Sequence, residues 1–226
     1  MDTKLLYLEN MCALQSDAHV LQIIQEDGVS KVIVDQTVFY PQGGGQPSDK
    51  GTIRNEHTLF DVQAVSMENG TVFHKGNFTQ GSTFTPQESV TLSVDPALRT
   101  LHNKNHTAGH LIDCAIYKLG YNLTSSKAYH FPQGPYVEYQ GTLEQEVREQ
   151  LQLALEKAVN DLVAQALPVK ITLIDNDPKK RAMIVADYPP ILCGGTHVLN
   201  TQEVGHITIR KIKNEKGNLR VSYAAT

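Results

Sequence analysis

Tryptophan is missing from the 226 residues, and cysteine is scarce: only Cys12, Cys114 and Cys193. An odd, dispersed set argues against a disulfide framework and for a reducing compartment, which makes the cytoplasm the expected location. Long apolar runs are missing too. Nothing approaches the roughly 20 residues that cross a bilayer, so no membrane partner is expected. The opening Met1-Asp2-Thr3-Lys4-Leu5 is too short and too charged for a secretory signal. Nor is there an excess of positive charge, since 20 Lys and Arg face 24 Asp and Glu, for a net charge of −4. A phosphate-tracking protein usually shows a basic face. Here cations gather only locally, at Lys179, Lys180 and Arg181 and again at Arg210, Lys211, Lys213, Lys216 and Arg220. Each cluster reads either as solvated surface or as a modest phosphate-contacting rim; Lys179, Lys180, Arg181, Arg210 and Lys211 are the candidate phosphate contacts. Gly43-Gly44-Gly45 lacks the lysine of a phosphate loop and opens no evident helix, which argues against a nucleotide site.

What is present changes character partway along. Up to about residue 92 the chain offers short β-branched runs, such as 32–35, 38–40, 51–53, 59–62 and 90–94. Turn pairs such as Asp27-Gly28 and Asn69-Gly70 punctuate them. Such spacing predicts a small barrel or sandwich. Asp95-Pro96 then reads as an N-cap and first helical residue. Helical sequence follows to Lys118, with a possible break, and Gly120 is the stop. Thr142 with Gln145 resembles a capping box opening a second helix to about Ala166, ended by Pro168. A strand at 171–174 and a terminal hairpin, 207–210 with 219–222, complete the pattern. The expected fold is α+β: a β-barrel-like domain, 1–92, then a domain, 93–226, of helices on an antiparallel sheet.

Two short motifs carry chemistry. His106 and His110 are four apart in helical sequence, so both side chains project from one face. Far downstream, Cys193-Gly194-Gly195-Thr196-His197 sets a thiolate and an imidazole around two glycines that permit a tight turn. Imidazoles with one thiolate suit Zn²⁺, and the order is not that of a zinc finger. A helical His-x-x-x-His alone is commonly a chance pair; the two motifs together predict one shared site of His106, His110, Cys193 and His197. His102 lies one turn earlier and is expected beside the site or at the surface. His130 is a weaker candidate for the pocket. His19, His57, His74 and His206 have no partner at ligand spacing, and Cys114 reads as a core residue.

The runs His106-Thr107-Ala108-Gly109-His110-Leu111 and Cys193-Gly194-Gly195-Thr196-His197-Val198 resemble the two signatures of the alanyl-tRNA synthetase editing domain. Upstream, 39–51 (FYPQGGGQPSDKG) resembles the glycine-rich stretch that precedes editing in that family. Asn160, 201–205 and Arg220-Val221 add smaller matches, so the likeness covers nearly the whole chain. With no room for an aminoacylation domain, the chain is similar to the freestanding alanyl-tRNA editing proteins that keep the glycine-rich domain. That resemblance implies zinc-dependent hydrolysis of Ser-tRNA(Ala), and of Gly-tRNA(Ala), sparing Ala-tRNA(Ala). It implies a substrate pocket touched by Thr107, Thr196, Ser125 and Ser126, with Gly43, Gly44, Gly45 and Gln46 in a loop bordering it. Four firm ligands would close the zinc site, and a loose one would leave a position for water or substrate; both remain open at this stage. The competing readings are a related hydrolase for another aminoacyl-tRNA, and a zinc-stapled tRNA- or amino-acid-binding module without catalysis. Oligomeric state is not legible here.

Overall fold

A computed structural model describes residues 2–26, 28–176 and 180–226. Asp27 and Lys179, named above, lie outside them. The fold is mixed: a closed barrel, two further antiparallel sheets and two long helices. The chain divides into two compact units, residues 1–43 with 47–99, and residues 44–46 with 100–226.

In the first unit, β1 (Lys4–Leu5), a helical turn α1 (Leu6–Glu9) and β4 (Gln36–Thr37) are small. The barrel runs β2 (Gln15–Glu26), β3 (Val29–Val34), β7 (Thr71–Gln80), β6 (Leu59–Glu68), β5 (Gly51–Arg54) and β8 (Ser89–Val94), in that spatial order. Alternation drives closure, because every second side chain faces inward. On β8 these are Val90, Leu92 and Val94, and they meet Val20, Val32, Ile53 and Phe60 from other strands. The run 38–40 is buried but forms no strand. Its backbone is held by side chains instead: the Tyr40 N–H donates to Asp49 Oδ2 at 2.6 Å, and the Phe39 N–H to Thr37 Oγ1 at 3.1 Å. Asp49 is in turn clamped by the buried Arg99, whose Nε donates at 2.9 Å. Arg99 also donates to the carbonyls of Val38 and Met11 at 2.8 and 3.1 Å, so this buried charge is fully paired.

Helix α2 (Pro96–Lys118) begins as the sequence indicates. Asp95 Oδ1 accepts from the Ala97 and Leu98 N–H groups at 2.9 and 3.0 Å, and no break interrupts the helix. At its end Gly120 has φ +80°, and the Tyr121 N–H reaches back to the Ile116 carbonyl at 3.2 Å, a Schellman closure. Helix α3 departs from expectation. It spans Gln145–Ala164, its N-cap position is Glu144, and no side chain caps it; Thr142 lies before the helix. The Leu143 N–H bonds to Asn214 Oδ1 at 3.2 Å, so tertiary pairing replaces the capping box.

In the second unit the antiparallel sheet has order β14 (Ile207–Glu215), β15 (Asn218–Ala225), β10 (Tyr136–Gln140), β9 (Ser125–Tyr129). A smaller sheet joins β11 (Val169–Leu173), β12 (Arg181–Val185) and β13 (Ile191–Leu192). Leu111, Ile112, Ala115 and Ile116 of α2, with Leu151, Leu155, Val159 and Leu162 of α3, share one core with Tyr139, Val221 and Tyr223. The hairpin turns at Lys216-Gly217, both with φ > 0 (52° and 82°), the backbone a tight two-residue β-turn requires.

Candidate metal centre

Helix α2 presents His106 and His110 one turn apart, ring centroids 4.9 Å from each other. The turn after β13 brings up the other half. The Cys193 N–H donates to the Arg181 carbonyl at 2.9 Å, and Gly195 lies so close to His106 that a Cβ there would stand 2.2 Å from its Cε1. No residue but glycine fits that approach. The donor atoms of His106, His110, Cys193 and His197 all fall within 4.8 Å of one another. Cys193 Sγ is 3.3 Å from both His106 Nε2 and His197 Nε2.

Each of the three imidazoles has its Nδ1 occupied by a neighbour, which turns Nε2 to the shared point. Gln46 Oε1 accepts from the Thr196 N–H at 3.1 Å, so it is the amide's acceptor end, and His106 Nδ1 must donate to it at 2.7 Å. His197 Nδ1 lies 3.3 Å from Thr107 Oγ1. His110 Nδ1 donates to Asp113 Oδ2 at 3.3 Å, while Tyr139 donates to Asp113 Oδ1 at 2.6 Å. His110 Nε2 is buried with no hydrogen-bond partner among the described residues.

Electrostatics agree with a seat for a cation. Burial, then the neighbouring imidazoles, hold His106 and His197 well below the ordinary histidine range. Burial opposes charge on His110 as well, but Asp113 and Cys193 outweigh it and raise that group to about 10. His106 and His197 are therefore neutral imidazoles, the form that ligates a metal. The donor set of nitrogens and one sulfur matches Zn²⁺. The residues present fit the metal.

A cavity of about 530 Å³ opens on the cluster, lined by Gly44, Gly45, Ser125, Ser126, Lys127 and His130 besides three of the ligand-type residues. A larger groove of about 750 Å³ in the first unit, along Lys50, Gln63 and Asp95, carries no metal-ligating cluster among the described residues. Ser125 and Ser126 are exposed at the cavity, although Ser126 Oγ already donates to the Glu138 carbonyl at 3.2 Å. Thr107 and Thr196 are fully buried. Thr196 donates to Asn103 Oδ1 at 2.5 Å and accepts from Gln46 Nε2 at 2.8 Å. Thr107 accepts from the Val198 N–H at 3.2 Å. These bonds make both threonines braces of the cluster. Gln46 is likewise buried on His106, and Gly43 is not among the residues lining the cavity.

Of the basic residues, Lys180, Arg210 and Lys211 are exposed. A bulge on β14 between Ile209 and Lys211 lets the latter two point outward side by side. Arg181 is buried instead, its Nη1 donating to the Gly194 carbonyl at 3.4 Å, which props the cysteine turn. His102 and His74 are buried; His19, His57 and His206 are exposed. Asp113, Asn103, Tyr139 and Tyr223 were not singled out by the sequence. Asp113 and Asn103 sit three residues from His110 and His106, on the same helix face, and that spacing was the available signal.

Comparison with known proteins agrees with this geometry. The family described as tRNA synthetases class II (A) matches residues 3–98, and the threonyl and alanyl tRNA synthetase second additional domain matches residues 184–222. The chain is 28% identical to the alanyl-tRNA editing protein AlaX-L of Pyrococcus horikoshii, over 94% of this chain and 55% of that protein. It is 30% identical to an alanine–tRNA ligase of Methanococcus aeolicus, over 99% of this chain and 26% of the ligase. A ligase of Lachnoclostridium phytofermentans is 33% identical over 82% of this chain and 22% of its own length. The chain thus spans about half of the editing protein and about a quarter of the ligases. By these matches, the chain is similar to an alanyl-tRNA editing protein and to part of the alanine–tRNA ligases.

Proposed function

We propose that this protein hydrolyses the ester between a wrong amino acid and tRNA(Ala), with serine as the main target and glycine next. The convergence of His106, His110, Cys193 and His197 at a cavity of small-substrate size carries the reading. The relatives, an alanyl-tRNA editing protein and alanine–tRNA ligases, point to the RNA. The need for such an enzyme is physical. A pocket for alanine cannot exclude glycine by size and rejects one added hydroxyl weakly, by roughly 1–3 kcal/mol, so a second hydrolytic sieve is required.

Zinc, when bound, supplies Lewis-acid polarisation of the ester carbonyl. The chain's own part is orientation. Gln46, Thr107 and Asp113 hold the three rings so that the ligand nitrogens converge, and Arg181 fixes the backbone of the cysteine turn. His106, Cys193 and His197 would hold the ion, and the position of His110 would be open to exchange with water or substrate. We take His110 as the one to yield, since His106 and His197 each set Nε2 3.3 Å from Cys193 Sγ and form the tighter part of the cluster. Ser125, Ser126 and the Gly44–Gly45 backbone form the wall that meets the amino acid and terminal ribose, and Lys127 at the same wall suits a phosphate. Lys180, Arg210 and Lys211 supply weak, sequence-independent phosphate contacts, in keeping with an enzyme that releases its RNA after each turnover.

The test is deacylation of Ser-tRNA(Ala), Gly-tRNA(Ala), Ala-tRNA(Ala) and Ser-tRNA(Ser) by zinc-loaded protein. Rapid release of serine from tRNA(Ala), with slow release of alanine and loss of activity in Cys193→Ala, is expected. No release from any of them by folded, zinc-loaded protein would overturn the hydrolase and leave a zinc-stapled binding module.

A further inference from the structure

Four imidazoles gather at this cluster, and one of them lies outside the metal set. His130 follows β9 and is 1% exposed. Its seat is built. The ring stacks on His106 with centroids 4.4 Å apart and planes 26° from parallel. The backbone N–H of His130 donates to the Gly45 carbonyl at 2.8 Å. A Cβ at Gly109 would stand 2.5 Å from Cε1 of the ring, and one at Gly45 would stand 3.3 Å from Cδ2 and 2.4 Å from the Ala128 carbonyl. Two glycines therefore make room for the two carbons that flank Nε2.

The hydrogen-bond chain behind the ring settles its tautomer. Tyr223 Oη donates to the Asn105 carbonyl at 2.8 Å. A hydroxyl has one proton, so Tyr223 receives the other bond, and His130 Nδ1 donates to it at 2.7 Å. Nε2 then carries a lone pair and no proton. Nε2 is buried and has no partner among the described residues, while the residue lines the cavity. A buried acceptor left unmatched is costly, and one held in a fixed tautomer calls for a donor brought by the ligand. An ammonium is the poorer match, since the carboxylate nearest the cluster, Asp113, is already taken by Tyr139 and His110.

We propose that His130 Nε2 accepts a hydrogen bond from a hydroxyl group of the molecule that fills the cavity, and that Asn105 and Tyr223 are there to keep that nitrogen unprotonated. The inference rests on the hydrolase reading, under which the hydroxyl comes either from a serine side chain or from the terminal ribose. His130 touches substrate and selects for it; Tyr223 and Asn105 are positioning residues acting through it.

Non-hydrolysable mimics separate the sources: adenosine carrying a 3′-amide-linked seryl or glycyl group, and the 2′-deoxy form of the glycyl compound, titrated into zinc-loaded wild type, His130→Phe and Tyr223→Phe. Zinc content and melting temperature establish that the variants retain their site. If the serine hydroxyl is the donor, His130→Phe loses about tenfold to hundredfold affinity for the seryl mimic and none for the glycyl. If the ribose is the donor, both seryl and glycyl mimics weaken, and the deoxy compound binds wild type and variant alike. Tyr223→Phe frees the ring to take the other tautomer and shows the same pattern at reduced size, which keeps the test alive should His130→Phe fail to fold. Unchanged binding in both variants, or equal loss for all three mimics, would overturn the proposal. Wild type that binds none of the mimics would overturn the hydrolase reading and this proposal with it.

Discussion

A metal-facing imidazole is only as well aimed as the group on its other nitrogen. Gln46 shows this most directly, because its single Oε1 holds both the His106 Nδ1–H and the Thr196 N–H. Gln46→Ala leaves two buried donors unpaired next to the ligand, so zinc affinity is expected to fall about 10- to 100-fold, measured by competition with a chromophoric chelator. Unaltered affinity would mean the amide is not what fixes the ring. His74 in the barrel makes a second case, free of any metal. Its Nδ1 donates to the Val32 carbonyl at 3.0 Å and its Nε2 accepts from Thr37 Oγ1 at 2.8 Å, while burial lowers its pKa to about 4. The unfolded chain takes up a proton near pH 6.5 and the folded barrel only near 4. Stability from this residue is therefore complete above about pH 6.5 and lost as pH falls to about 4, by roughly 3 kcal/mol in all. Denaturant melts of wild type against His74→Phe should show that much less pH dependence in the variant; parallel curves would refute the assignment. The ligand-type residues stood out in the sequence because spacing and chemistry coincide in them. His130 was legible only as a weaker pocket candidate and Tyr223 not at all, because their pairing spans 93 positions and depends on how β15, β10 and β9 register.

Elements in this chain are specified unevenly. Helix α2 is written locally, from Asp95 and Pro96 at one end to Gly120 at the other, and the sequence alone gives both ends. Helix α3 is not. Its start lacks a side-chain cap, and its placement comes from the apolar stripe of Leu151, Leu155, Val159 and Leu162 and from polar ties to the sheet. Asn160 is the chief tie: its Nδ2 donates to the Ile207 carbonyl at 2.7 Å and its Oδ1 accepts from the Ile207 N–H at 3.0 Å. Ile207 is fully buried and opens β14, so those backbone groups have no water to turn to. Asn160→Ala is expected to cost about 1–3 kcal/mol in denaturant melts, and Asn160→Leu no less, since the lost partners and not the volume are at issue. A variant as stable as wild type would show that α3 is held by its apolar face alone. The stretch 38–40 taught the converse: β-branched and aromatic residues that read as a strand are buried as a loop, because Asp49 and Thr37 satisfy the backbone that a neighbouring strand would otherwise have paired.

Over the whole molecule, two hydrophobic cores are recorded, one around Val32, Ile53 and Leu92 and one around Leu111, Leu155 and Val221. The ligand-type cluster belongs entirely to the second unit, including Gln46, which the chain contributes to that unit from an upstream loop. Binding free energy of a metal adds to the stability of whatever folds around it and to nothing else. The barrel's own core includes no such cluster among the described residues. Chelation should therefore act on one part of the molecule. Calorimetry of zinc-loaded protein, repeated after exhaustive chelation, is expected to shift the unfolding of the second unit downward while the barrel's transition stays in place. Hydrogen exchange would assign the shifted part, with amides of α2 near His106 and of the turn at Gly195 losing protection and those of β8 keeping theirs. The size of the shift also bears on the ion's role. If zinc is a staple, the second unit unfolds without it, and deacylation cannot be separated from folding. If the fourth position is shared with substrate, His110→Ala keeps most of the zinc-dependent stabilisation through the remaining three ligands while changing the rate of deacylation. A His110→Ala protein that loses zinc and folding together would show that all four ligands are needed to close the site.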